Sequence, residues 1–263
     1  MSAEDGNVED GKKKIREHAY YMKKALDAAD MKEALKSAEQ MISSLRVDKI
    51  SPRDYYMFFM LVFDELNILE LAFRELYNKK KIKFSKIYEK VQYSHEIIPR
   101  LYLMITAGSV LIDTKEMTSS AVIQDLFQML KGVQHPFRGL FVRYYFLKMI
   151  KTKIPDAEEE GYQEKLEREF GCLENILDML LENLGEMNKL WIRIGSLIKD
   201  KKRRKQERGD LKITVGENIV RLASIQGLTV EAYKDKLLPT LLEHVCLSNS
   251  RLYLQAIRYH NSI

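Results

Sequence analysis

Apolar residues along this chain recur at helical spacing almost without interruption from Lys12 onward. A first helix is predicted over 12–28 and a second over 31–46, with Leu35, Ala38, Ile42 and Leu45 on one face. Ser51-Pro52 has the chemistry of a helix start. Ser51 can cap, Pro52 suits the first helical position, and Asp54 favours the positive end of the helix dipole. Tyr55, Phe58, Phe59, Val62, Leu66, Leu69 and Phe73 then follow at three- and four-residue intervals, predicting a long amphipathic helix ending near Lys79. Further helices are predicted over 84–92, 95–112, 119–131, 136–152, 162–184, 187–198, 211–225 and 230–260, the last with a break near Ser248. No segment alternates as a strand between turn residues. Residues 1–11 are acidic and polar and are expected to form a disordered tail.

Two of these helices are apolar around most of their girth, a pattern that calls for burial on several sides. In the first, Ile97, Leu101, Met104, Ile105, Gly108 and Ile112 form one stripe, and Arg100, Leu103, Ala107 and Val110 form a second. Two readings are open. The helix is central and Arg100 is satisfied by a neighbouring carboxylate, or the second stripe is a docking surface with Arg100 as its polar anchor. The other helix lies in GVQHPFRGLFVRYYFLKMI (132–150), where His135-Pro136 starts a helix as Ser51-Pro52 does. Its Arg138 and Arg143 lie about 140° apart around the axis, so each needs its own partner. Such arginines commonly tie helices together through carboxylates or free helix-end carbonyls.

Composition agrees with long helices and short connections. The 263 residues include only 12 Gly and 5 Pro, too few for a turn-rich sandwich or a sheet with glycine-rich loops. The net charge of +5 resides in residues 199–208, KDKKRRKQER, which hold seven basic and two acidic side chains; the remainder is balanced. No aromatic residue interleaves this segment, which argues against base stacking, and it is read as a basic loop spanning 199–210. Cys172 and Cys246 read as small core residues in a reducing compartment. The start has no signal-peptide pattern, and the longest uncharged run, Leu101 to Ile112, is shorter than a membrane span. The chain is therefore read as soluble and cytoplasmic. No phosphate-binding, dinucleotide-binding, serine-hydrolase or zinc-protease motif is present, and the five histidines are scattered. No enzyme activity, metal or cofactor is expected.

The words ISPRDYY (50–56), VQYSHEIIPRLYL (91–103), GVQHPFRGLFVR (132–143), EMNKLWIR (186–193) and LKITVGENIVRL (211–222) occur in that order. Over about residues 20–245 the chain resembles the N-terminal region of the vacuolar protein sorting-associated protein 35 family, the large helical-repeat subunit of retromer. The resemblance implies an all-α fold, a right-handed α-solenoid of HEAT-like antiparallel helix pairs over 12–263. It implies a non-enzymatic scaffold, peripheral on the endosomal membrane, that retrieves transmembrane cargo to the Golgi or plasma membrane. By match, Pro99, Arg100, Leu101, Tyr102 and Leu103 take the positions of the family's PRLYL motif, which binds the arrestin-like subunit, vacuolar protein sorting-associated protein 26. This favours the docking reading of the stripe that includes Ala107 and Val110. His135, Pro136, Arg138, Gly139 and Arg143 are expected to be structural or partner-binding. A sorting nexin and a late-endosomal Rab GTPase are associated with the same end of the family's solenoid. The metallophosphoesterase-like subunit is not an expected partner, because the long C-terminal solenoid that embraces it lies beyond these residues. The alternative is a short paralogue or helical module that binds anionic lipid or nucleic acid through its basic loop.

Overall fold

A computed structural model describes residues 3–47, 50–79, 84–151, 153, 173–197, 201–211, 216–217, 219–220 and 230–242. The fold class is all-α, and no strand occurs among the described residues. The chain divides into two compact units, Met1–Met117 and Thr118–Ile263.

The first unit holds α1 (Ala3–Asp27), α2 (Met31–Ser43) with a 3-10 turn at Ser44–Arg46, α3 (Pro52–Asn78), α4 (Phe84–Gln92) and α5 (Ile97–Thr114). Local chemistry sets the boundaries. The Asp30 side chain accepts from the backbone N–H groups of Lys32 and Glu33 and starts α2. Just before it, Ala29 turns the chain through the left-handed region at φ 57°, and the Asp30 N–H reaches the carbonyl of Ala25 to close the end of α1. Ser51 caps α3 through the Asp54 N–H at 3.1 Å, with Pro52 in the first turn as the sequence predicts. The start of α4 is capped from a distance: the Glu116 carboxylate accepts from the N–H groups of Phe84 and Ser85.

Helix α5 is the core of this unit. Residues 101 to 112 are buried without a gap, and α2, α3 and α4 all pack against this helix. Phe59 of α3 lies 6.3 Å from Tyr102, and Phe73 of α3 meets Phe84 of α4 edge-on at 5.4 Å. Eighteen residues of α5 match a membrane span by length and composition, but 78% of that window is buried inside the fold. Helix α1 lies against α2 and α3. Residue 11 of α1 is a glycine, and a Cβ there would run into the tip of the buried Phe58 ring. The helix begins at Ala3, within the stretch expected to be a disordered tail. Acidic residues near the positive end of the helix dipole and the Glu9–Lys12 ion pair one turn apart favour that extension, against the poor helix propensity of Gly6, Asn7 and Gly11.

The second unit holds α6 (Ser119–Lys131), α7 (Pro136–Lys151), α8 (Leu173–Leu197) and α9 (Lys201–Asp210). A short turn at Val230–Ala232 runs into a π-helical turn at Tyr233–Leu237 and continues helically over 238–242. Two elements differ from the sequence reading. Helix α8 crosses Gly185, where two helices are predicted, because Leu177, Leu180, Leu181, Leu184, Met187, Leu190, Trp191 and Ile194 form one buried stripe through it. The basic segment is helix α9 rather than a loop: Lys, Arg, Gln and Glu are good helix formers, and Glu207 and Leu211 fold against the core. Both cysteines, Ser248 and most of 154–172 and 211–229 lie outside the described residues.

Core and surface apolar side chains of α3 should separate clearly. Phe73→Ala removes a fully buried ring and is expected to cost about 3–5 kcal/mol of unfolding free energy. Leu71→Ala, at a site 61% exposed, should stay within about 0.5 kcal/mol. Urea denaturation of the two variants checks this; equal losses would mean that α3 is packed differently.

Candidate functional site

The segment before α5 is held to α2 by polar contacts from residues far away in sequence. Ser94 donates its hydroxyl to Glu39 at 2.6 Å. The Glu96 carboxylate accepts from the Ser43 hydroxyl at 2.9 Å and pairs with Arg46 on its other oxygen. Glu96 is therefore a brace, and it does not cap its own helix by side chain. Arg100 closes the arrangement from the first turn of α5: its Nε donates to the Ser94 carbonyl at 2.7 Å and its Nη2 to the His95 carbonyl at 3.4 Å. Its partners among the described residues are thus loop carbonyls, where one reading of the sequence supplies a carboxylate. A guanidinium has five N–H donors, and these contacts use two.

The six other candidate residues on α5 fall inside the fold. Pro99, Leu101, Tyr102, Leu103, Ala107 and Val110 are all buried, Leu103 with 2% of its surface exposed. Leu103, Ala107 and Val110 therefore form a packed face rather than an open stripe, and they fix the position of the helix. Side chains that reach solvent cluster at the helix start: Tyr93 is 82% exposed, Ile97 48%, His95 is exposed and Arg100 is half-buried. Periodicity marks both apolar stripes, but it cannot say which is covered. Glu39, Ser43, Arg46 and Glu96 escape a sequence reading because no local pattern links residues about 50 positions apart.

In the second unit the candidates from 135 to 143 form a helix-end lock. His135 precedes α7, and its Nδ1 accepts from the Arg138 N–H at 3.4 Å while its carbonyl accepts from the Gly139 N–H at 2.7 Å. Pro136 takes the first helical position. Arg143 is buried, with 1% of its surface exposed, and its guanidinium donates to the carbonyls of Leu130 at 2.8 Å, Val133 at 3.0 Å and Gly139 at 3.2 Å. The first two close the C-terminal end of α6, whose last carbonyls have no partner within that helix. Burial lowers the Arg143 pKa, and the negative charge of Glu186 on α8 opposes that shift. Glu186 is held below the usual carboxylate range, first by its hydrogen bond from Lys189. Gly139 is required here. A Cβ would stand 2.8 Å from both Leu190 Cδ1 and the Val133 carbonyl oxygen. Lys131 pairs with Glu182 at 2.8 Å, and Arg193 donates to Gln134 at 3.1 Å, so EMNKLWIR packs on the GVQHPFRG turn. Arg138 is half-buried.

A groove of about 580 Å³ runs between α8 and residues 235–240, lined by Asp178, Glu186, Lys189, Asp235, Lys236 and Thr240 among others. Lys236 pairs with Asp178 at 3.0 Å and Lys189 with Glu186 at 2.8 Å, so much of its charge is internally matched. Among the described residues no three His, Cys, Asp or Glu side chains gather as metal ligands would.

The family model for vacuolar protein sorting-associated protein 35 matches residues 7–253. Vacuolar protein sorting-associated protein 35A of Arabidopsis thaliana is 40% identical over 233 residues, 88% of this chain and 29% of the relative. The protein of the same family name from Dictyostelium discoideum is 37% identical over 240 residues, 90% of this chain and 29% of its own length. That of Schizosaccharomyces pombe is 35% identical over 226 residues, 85% and 27%. The chain thus spans under a third of the length of these relatives.

Arg143→Met keeps most of the side-chain volume but takes the guanidinium donors away from the Val133 and Leu130 carbonyls, leaving the latter only its bond from the Val133 N–H. It is expected to cost about 3 kcal/mol or more of stability, the scale seen when a buried charged partner is removed. Gly139→Ala should be destabilising as well, through the contact with the Val133 carbonyl. Thermal unfolding of both variants reads this directly, and a neutral Arg143→Met would show that the lock is not structural.

Proposed function

The chain belongs to the vacuolar protein sorting-associated protein 35 family, and on that premise we propose that it is a non-enzymatic scaffold of the retromer coat whose first unit docks the arrestin-like subunit, vacuolar protein sorting-associated protein 26. The observation that carries this reading is the construction of the α5 start. A charged side chain with donors to spare stands at the edge of a rigid apolar helix, beside the exposed Tyr93 and Ile97. Aromatic residues and arginine are the side chains enriched among the anchors of protein interfaces. Pre-organisation by the Ser94–Glu39 and Glu96–Ser43 contacts lowers the entropy lost when a partner binds there. The buried members of PRLYL serve this site indirectly, by fixing the helix that presents Arg100.

A scaffold of this kind acts by holding other proteins together, so its function is the coincidence of several docking surfaces. In this reading the chain works peripherally on the endosomal membrane in the retrieval of transmembrane cargo to the Golgi or plasma membrane. A sorting nexin and a late-endosomal Rab GTPase are the further partners the family resemblance suggests for this end.

Arg100→Asp is expected to weaken binding of the arrestin-like subunit by about 2–5 kcal/mol, the loss typical of a reversed interfacial charge, with a modest drop in the melting temperature from the lost bonds to the Ser94 and His95 carbonyls. Leu101→Pro is expected to unfold the first unit, since Leu101 is fully buried and proline removes a helix bond. Calorimetric titration and circular dichroism separate the two. If Arg100→Asp destabilises the fold as much as Leu101→Pro, Arg100 is a structural residue and the docking reading fails.

A further inference from the structure

Helix α9 divides its residues by side. Lys201, Lys202, Lys205, Gln206 and Gly209 are exposed, and at about 100° per residue they fall within one arc of about 140°. Glu207 and Leu211 are buried and project about opposite to that arc, where α9 packs on α8. The outward arc is open at its end: apart from its own helix backbone and chain neighbours, nothing lies within 4 Å of where a Cβ on Gly209 would stand. It carries no apolar side chain to insert into a membrane and no aromatic ring to stack on a base. The only acidic side chain between Lys201 and Gly209, Glu207, is turned to the core. All of the net +5 charge of the chain resides in residues 199–208.

We propose that the exposed lysine face of α9 is an electrostatic docking surface for an anionic lipid bilayer. A planar array of negative headgroups complements an arc of three lysines on a rigid, folded helix. Nucleic acid would also offer phosphates, but recognition of single strands commonly adds aromatic stacking, which this face lacks. The contact is peripheral and adds a second, weak attachment to whatever protein contacts the first unit makes. It does not depend on the α5 reading, because a different unit carries it. Each basic side chain at an anionic surface contributes roughly a fivefold factor in partition at low salt, and screening removes much of it as salt rises.

The test is co-sedimentation of the 263-residue chain with phosphatidylcholine vesicles, with and without about a third phosphatidylserine. Binding is expected only to the anionic vesicles and should fall steeply between low and high salt. Lys201→Glu/Lys202→Glu/Lys205→Glu is expected to reduce that binding by more than tenfold, with an unchanged circular dichroism spectrum. Should this variant misfold, Lys201→Gln/Lys202→Gln/Lys205→Gln gives the same reading with smaller amplitude. Arg100→Asp should keep full vesicle binding, which separates this surface from the protein site on α5. Equal binding to neutral vesicles, or anionic binding that survives both folded variants, would overturn the proposal. So would tighter binding of a single-stranded RNA oligomer than of the vesicles at the same salt.

Discussion

A helix without a polar face can exist in water only if other elements enclose it, and α5 is such a helix. Burying one large aliphatic side chain is worth about 1.5–3 kcal/mol, and residues 101 to 112 are buried in succession. The packing of α2, α3 and α4 follows from that demand, and the aromatic side chains of α3 supply much of the cover. The same demand explains where polar chemistry collects. Arg74 reaches Glu70 and Asp113 at one end of α5, and Ser94, Glu96 and Arg100 make their contacts at the other. A surface for partners built on this helix has to use its ends.

The two arginines that stand out in the sequence illustrate opposite uses of one side chain. Arg143 has 1% of its surface exposed and spends its donors on the carbonyls of Leu130, Val133 and Gly139. Its charge is tolerated because these dipoles and nearby Glu186 replace water, and the close approach of Gly139 leaves no room for rearrangement. Arg100 sits at the border between core and solvent and holds a loop while keeping donors in reserve. The first arrangement joins helices; the second suits recognition.

Much of this was legible in the sequence where local chemistry decides. Ser51-Pro52 and His135-Pro136 begin helices as their side chains predict, and the two all-round apolar helices are buried. Patterns fail where the answer depends on distant residues. Periodicity finds the Arg100, Leu103, Ala107 and Val110 stripe but cannot reveal that all but the arginine is covered. The brace of Glu96 with Ser43 and Arg46 joins positions about 50 residues apart and leaves no local trace. Like charges suggest a solvated loop at 199–210, yet helix propensity and the inward side chains of Glu207 and Leu211 prevail in α9. Gly185 suggests a break in α8, but a continuous leucine-rich stripe outweighs the roughly 1 kcal/mol that a helical glycine costs.

Hydrogen exchange of the chain with and without the arrestin-like subunit tests the central claim most directly, because it reports the location of the contact amide by amide. Residues 101 to 112 of α5 should already exchange at the slowest rates in the free first unit, since their bonds open only with that unit. On binding, new protection should appear over 93–100, where Tyr93, His95, Ile97 and Arg100 reach solvent. Protection gained instead over 103–110, with no change at 93–100, would contradict docking at the helix start and would mean that the buried stripe opens to form the interface.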